Sequence, residues 1–175
     1  SDLTFNSSNN DYVAIASTFG LGGTSVSGEC WVNLPSTSEM GTFINVGGAS
    51  VGYAIGVGTG NFDVLGNDLI IIYDLVRWID TGVAIGTGWH HVAYTIDASG
   101  RLTGFIDGVI VYSESGDPID PIAPSGSSYI GSATTPSSRR LSNGTIEEVR
   151  LWSDIRAESE IRENMCKTLT GNEAG

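Results

Sequence analysis

Positive charge is what this chain most lacks. Of 175 residues only 8 are lysine or arginine, and Lys167 is the sole lysine, against 20 aspartates and glutamates; the formal net charge is -12. Nucleic acid is thereby excluded as a natural partner, because binding a polyanion needs clustered cations that displace its counterions. An anionic membrane surface is excluded on the same ground. Long apolar runs are missing too: nothing approaches the ~20 residues that span a bilayer, so no membrane span is expected. The chain opens on Ser rather than Met and has no leader-like segment, as expected of a mature or excised piece. Cysteine is scarce, with Cys30 and Cys166 alone, in no C-x-x-C or metal-ligand spacing. A bridge between them would close a very long loop and stabilise by roughly 4–5 kcal/mol in the chain-entropy model. Cys166 lies off the apolar stripe of its helix, however, so two free thiols are expected. Charged residues of either sign make up only 16%, whereas apolar residues reach 40% and glycine numbers 24. That balance suits many short strands joined by turns, and suits neither a helical bundle nor a disordered chain. The length fits one domain, residues 1–175, that buries about 70% of its unfolded surface.

What is present is a succession of short runs separated by turn residues. Leu3-Thr4-Phe5 alternates and precedes a polar turn, Asn6 to Asp11. Tyr12–Ala16 is the next strand. In Val26–Leu34, Val26, Gly28, Cys30 and Val32 share one face, and Glu29 and Trp31 the other. Thr42–Val46 and Tyr53–Val57 follow. Leu69–Tyr73 is apolar throughout, as a strand buried on both faces would be. Trp89–Asp97 and Arg101–Asp107 read as a hairpin closed by Ala98-Ser99-Gly100. Asp107-Gly108 signals a type I′ turn into Val109–Tyr112. Asp117–Ser128 holds Pro118, Pro121 and Pro124, so it reads as a surface loop. Ser127–Gly131 is a short strand, Ser132–Asn143 a second loop, and Thr145–Trp152 the last strand. The period then changes. Ile161, Met165 and Leu169 recur every four residues, Glu158 and Glu160 favour the first turn, and Gly171 suits a stop, predicting a helix from about Glu158 to Leu169. The expected fold is all-β: a two-sheet antiparallel jelly-roll sandwich with one short C-terminal helix packed on it.

The usual catalytic signatures fail on context. Gly48-Ala49-Ser50-Val51-Gly52 has the spacing of a nucleophile elbow, but the elbow needs a helix after the serine, and Tyr53–Val57 reads as a strand. His90 and His91 are neighbours in a strand and point to opposite faces, so they cannot share a metal. Gly56-Val57-Gly58-Thr59-Gly60 lacks the dinucleotide spacing and the P-loop lysine. No enzymatic activity is expected.

Binding chemistry is more credible. Calcium takes six to eight oxygens. Asn9, Asn10 and Asp11 sit in an oxygen-rich turn, and Glu147 shares the parity of Val149 and Leu151, so it would face inward and need a partner. These residues are expected to hold one structural calcium ion; the other reading of Glu147 is a hydrogen-bonded structural carboxylate. Arg139 and Arg140, adjacent in a loop, could clamp an acidic glycan or a sulfate. Trp31, Trp89 and Trp152 lie in strong strand patterns and read as core. Trp78 precedes a turn and is the tryptophan expected at a ligand site, with Arg139 and Arg140.

Several segments, in order, resemble the laminin-G-like jelly-roll family of the concanavalin A-like lectin/glucanase superfamily. They are Asn10-Asp11-Tyr12-Val13, Glu29-Cys30-Trp31-Val32, Trp89-His90-His91-Val92-Ala93, Phe105-Ile106-Asp107-Gly108, Tyr129-Ile130-Gly131 and Ile146-Glu147-Glu148-Val149-Arg150-Leu151-Trp152. In the last, Glu147 stands where the family has Asp. The catalytic E-x-D-x-x-E strand of the superfamily's glucanases has no counterpart. The resemblance implies a non-catalytic glycan- or cell-surface-binding module, outside the cell or on a cell or virion surface, beside neighbouring domains of a longer modular protein. The alternative it leaves open is a structural or adhesive spacer, such as a virion-surface domain, that binds protein or nothing.

Overall fold

Among the described residues twelve strands form, most of them where the sequence alternates, and one helix follows. They are β1 (Leu3–Asn6), β2 (Val13–Ile15), β3 (Val26–Leu34), β4 (Gly41–Val46), β5 (Tyr53–Gly58), β6 (Asp68–Tyr73), β7 (Arg77–Ala84), β8 (Gly88–Ile96), β9 (Leu102–Ile106), β10 (Val109–Ser113), β11 (Ser128–Ile130), β12 (Asn143–Trp152) and α1 (Glu158–Asn164). The computed structural model describes residues 2–48, 51–73, 77–115, 122–133, 139–170 and 173. Two six-stranded sheets stack face to face. Sheet A runs β1-β12-β3-β8-β9-β10 and sheet B runs β2-β11-β4-β5-β6-β7, so chain neighbours often lie in different sheets, as in a jelly roll. Ser50 of the elbow-like motif lies outside the described residues, and the element that follows it is strand β5, not a helix. Pro118 and Pro121 also lie outside them.

The core follows the alternation. Val26, Cys30 and Val32 of β3 face Phe43, Tyr53, Ile55, Leu69 and Ile71 of sheet B, joined by Val92, Tyr94 and Ile96 of β8. Gly28 completes that face because nothing larger fits: a Cβ there would stand 2.6 Å from the Tyr94 ring. The Tyr53 and Tyr94 rings meet with centroids 5.5 Å apart. The continuously apolar β6 is buried on both sides. Leu69, Ile71 and Tyr73 join the main core, while Ile70 and Ile72 form a second cluster with Ala54 and Phe62 on the outer face of sheet B. Asp107 and Gly108 take positive φ of 51° and 72°, the turn their pairing signalled.

Three expectations are corrected. Strand β7 was not legible, since it is an edge strand whose residues are mostly exposed; only Ile79 is buried. The helix ends at Asn164, not Leu169. The main-chain carbonyls beyond its last turn are drawn sideways to side chains of sheet A, which ends the helical ladder. In β12 the alternation slips. Glu148 has left-handed φ of 49°, and Glu148 and Val149 together oppose Cys30, with Glu147 paired to Trp31 and Arg150 to Glu29. This bulge means that Glu147 and Val149 do not share a face. Ile146 is fully buried in the core and Glu147 turns outward. After the bulge Val149 and Leu151 pack inward, whereas Arg150 and Trp152 turn outward.

Candidate functional site

The outer face of sheet A is built largely from residues that alternate away from the core. Glu29 and Trp31 come from β3, His91 and Trp89 from β8, and Glu147, Glu148 and Arg150 from β12. Trp31 pairs with His91, and Asn33 with Trp89, so the two tryptophans are diagonal neighbours, about 7–8 Å apart in such a ladder. The segment after α1 crosses this face and closes one side of a groove of about 360 Å³, lined by Trp31, Trp89, Glu147, Glu148, Arg150 and Lys167 among others. Trp89, the second residue of β8, is 41% exposed, high for so large an apolar side chain. The two groove carboxylates differ in their bonding. Glu148 pairs with Arg150 at 3.0 Å. Glu147 bonds to Asp2, and that hydrogen bond, with some burial and the Asp2 charge, raises its carboxyl above the ordinary 4.5.

A buried polar network fixes the floor. Arg150 donates to Glu29 at 3.3 Å, to Glu148 at 3.0 Å, to the Asn164 carbonyl at 2.9 Å and to the Lys167 carbonyl at 2.5 Å. Trp31 Nε1 donates to the Met165 carbonyl at 2.7 Å. These bonds draw the chain off its helix and lay it along the groove. Glu29 also meets His91 Nε2 at 3.5 Å, and the His91 ring stands edge-on to Trp31, 5.5 Å between centroids. Burial alone would push the Glu29 carboxyl up. The hydrogen bond and charge of His91 and the guanidinium of Arg150 more than offset it, so Glu29 lies below 4.5. Charge thus stays buried here because it is paired on several sides. Chemically, the groove offers an aromatic face flanked by carboxylates, an ammonium group and carbonyls. Of the two cysteines, Cys30 sits in the core, its thiol pushed up by burial, and Cys166 is an exposed free thiol that lines the groove.

The residues singled out in the sequence divide into two places. Trp78 and Arg139 do come together: the guanidinium lies 4.7 Å from the Trp78 ring centre, and Arg139 pairs with Asp63 at 3.2 Å. Phe62 meets Trp78 edge-on at 4.9 Å. One face of Trp78 is thereby occupied by the protein itself, so this cluster closes over sheet B rather than opening a stacking surface. Arg140 goes elsewhere, donating to Asn10 Oδ1 at 2.5 Å.

The expected calcium ligands do not converge. Asn10 is left-handed at the end of a single 3-10 turn, and its oxygen is taken by Arg140. Asp11 accepts the Asn6 N–H at 3.1 Å. Glu147 stands on the other side of the β12 register, four positions from Asn143, the partner of Asn6, and it bonds to Asp2 instead. A guanidinium already supplies positive charge at the turn. Among the described residues no group of three or more His, Cys, Asp or Glu is placed to hold a metal. The set Asn9, Asn10, Asp11 and Glu147 therefore does not fit one ion.

Sequence reasoning placed Trp31 and Trp89 in the core, and the structure corrects it: they face the groove. The signal that could have found them was parity. In β3 the core set of Val26, Cys30 and Val32 leaves Trp31 on the opposite face. Trp152 is buried, but under Arg156, whose guanidinium lies 4.4 Å from its ring centre, and not in the main core.

Known folds agree with this architecture. A chain from Bacteroides ovatus ATCC 8483, for which carbohydrate binding has been proposed, superposes with a TM-score of 0.72 at 22% identity, over 93% of this chain and 47% of that one. The receptor-binding domain of botulinum neurotoxin mosaic serotype C/D matches with a TM-score of 0.64 at 16% identity, over 93% and 41%. Botulinum neurotoxin type C, whose cell entry is described as dependent on two ganglioside molecules, matches with 0.62 at 16%, over 87% and 38%. This chain thus spans less than half the length of each of these structures. No curated protein sequence matches it significantly. The family model Laminin G 3, described as the concanavalin A-like lectin/glucanases superfamily, matches residues 7–162, and the chain belongs to that family.

Proposed function

We propose that this domain is a non-catalytic carbohydrate-binding module, carried outside the cell or on its surface by a longer protein, and that the sugar lies in the groove of sheet A. The observation that carries the reading is the Trp89 ring, 41% exposed near the start of β8, beside Trp31 and flanked by groove carboxylates and Lys167. A pyranose has one apolar C–H face, which an aromatic ring covers, and a rim of hydroxyls, which carboxylates and carbonyls accept from. The net charge of -12 favours a neutral saccharide over an acidic one. Solved neighbours described as carbohydrate-binding or ganglioside-dependent support the class of ligand, not its identity.

A glycan array probed with the purified domain, then repeated with Trp89→Ala, tests it. Binding to neutral glycans should fall about tenfold or more in the variant, since truncating a central aromatic anchor typically costs 2 kcal/mol or more. Absence of binding to every glycan would return the domain to the spacer or adhesive reading. Binding that survives Trp89→Ala would move the site away from the groove.

A further inference from the structure

We propose a second site, in the gap between the sheets: an apolar slot that takes a small uncharged ring compound with one hydroxyl, of the phenol class. The slot is about 220 Å³ and lies where the short β2–β11 end of sheet B faces β12 of sheet A. Ile15, Ile44, Ile130, Val149 and Leu151 line it. Of these only Ile44 is fully buried; the other four are partly exposed, although Ile130, Val149 and Leu151 pack against the main core. Close packing is the norm for side chains between two sheets, so half-covered aliphatics facing one gap leave room for a missing partner. An engineered apolar cavity of about 150 Å³ suffices to hold benzene.

The rim supports a ring-shaped occupant. Phe19 lines the slot, is 50% exposed and has a left-handed φ of 59°. A bulky residue with φ in that region is strained, and such strain persists only where the surroundings hold it. Here the Phe19 N–H is fixed to Ser17 Oγ at 2.9 Å, and the Ser17 carbonyl accepts from Ser128 Oγ at 2.6 Å. Tyr129 also lines the slot, buttressed by the Tyr12 ring at 6.4 Å. Two aromatic side chains therefore stand at the mouth of an aliphatic gap.

Polarity restricts the occupant further. No charged side chain lines the slot. An ionised ligand would lose its water with no opposite charge to replace it. Ser128 is 2% exposed and lines the slot, and its hydroxyl has spent its proton on Ser17 but retains acceptor capacity. A ligand hydroxyl can donate to it.

Titration with 4-methylphenol, followed by chemical-shift changes of the slot methyl groups, tests this, with toluene and 4-methylbenzoate as the other arms. The phenol should bind and show proton–proton contacts to Val149 and Leu151, whereas the benzoate should not bind. Ser128→Ala should weaken the phenol about fivefold, the worth of one hydrogen bond, and leave toluene unchanged. Val149→Phe should fill the gap and abolish binding; if that variant does not fold, the contacts in the unaltered protein decide alone. No binding of the phenol, equal binding of the benzoate, or contacts elsewhere on the surface would each overturn the proposal.

Discussion

The outer faces of the two sheets make opposite use of the same strand geometry. On sheet B, the central outward cluster is apolar and already covered. Ala54, Ile70 and Ile72 lie beneath Phe62 and Trp78, and Arg139 caps the tryptophan. On sheet A, Ala93 and Phe105 are sealed by Ile161 of the helix, but the outward residues of the groove are charged or aromatic, and what covers them is main chain: the segment after α1, held by Arg150 and Trp31. A face sealed by side-chain packing has nothing left to offer a ligand. A face sealed by a few directional hydrogen bonds leaves a gap with polar walls. On this contrast the exposed tryptophan of sheet A is the anchor proposed for the groove, although Trp78 looked the more accessible in the sequence.

That contrast can be broken, most sharply at Arg150. Arg150→Leu would leave the Glu29 carboxylate buried without one of its two partners and release the groove wall. A loss of about 3–5 kcal/mol in chemical denaturation is expected, and Glu29→Leu in the same chain should recover much of it. A loss under ~1 kcal/mol would mean the network is solvated. The corresponding cut on sheet B, Ile72→Ala, should cost about 2–5 kcal/mol by leaving a cavity. It should not alter glycan binding in the groove, because the affected cluster lies on the opposite sheet.

Acid separates the faces next. The folded Glu29 carboxyl lies below 4.5, so its ionised form stabilises the native state. That contribution is complete above the unfolded value and is lost as pH falls through 4.5 toward the lower folded value. Denaturation midpoints should therefore drop below pH 4.5 in the parent and flatten in Glu29→Gln, while Ile72→Ala keeps the parent's pH slope. Arg139→Ala, which removes a half-exposed pair and one ring contact, should cost about 1 kcal/mol or less. The smallest effect concerns the Asn9–Asp11 turn. With Arg140 bonded there, excess chelator should leave the melting temperature unchanged; a fall would restore calcium to the account.

Much of the fold was legible because it rests on alternation. The runs at 26–34, 53–57, 69–73 and 89–97 gave strands at nearly those limits, and the two-faced burial of β6 could be read from its unbroken apolar run. What could not be read depended on partners distant in sequence. β7 carries little hydrophobic pattern, since as an edge strand it buries only Ile79. The helix stops early because Arg150 and Trp31 compete for its carbonyls, and nothing local to residues 164–168 encodes that. At the candidate site, Trp78 and Arg139 could each be singled out in the sequence, but not their closing over each other, and the groove tryptophans were assigned to the core by residue type rather than by parity.

The left-handed Glu148 gives β12 two phases. Before it, the strand counts its inward positions in step with Ile146; after it, in step with Val149 and Leu151. The groove draws on Glu147, Glu148 and Arg150, and the slot on Val149 and Leu151, so both depend on one displaced step in one strand. Straightening the strand with that residue retained would rephase everything up to Trp152, sending the guanidinium toward the aliphatic interior and the leucine into water, whereas deleting Glu148 would restore plain alternation with Arg150 still outward and Leu151 still inward. The two cavities on either side of β12 thus share one register: a slip that costs one costs the other.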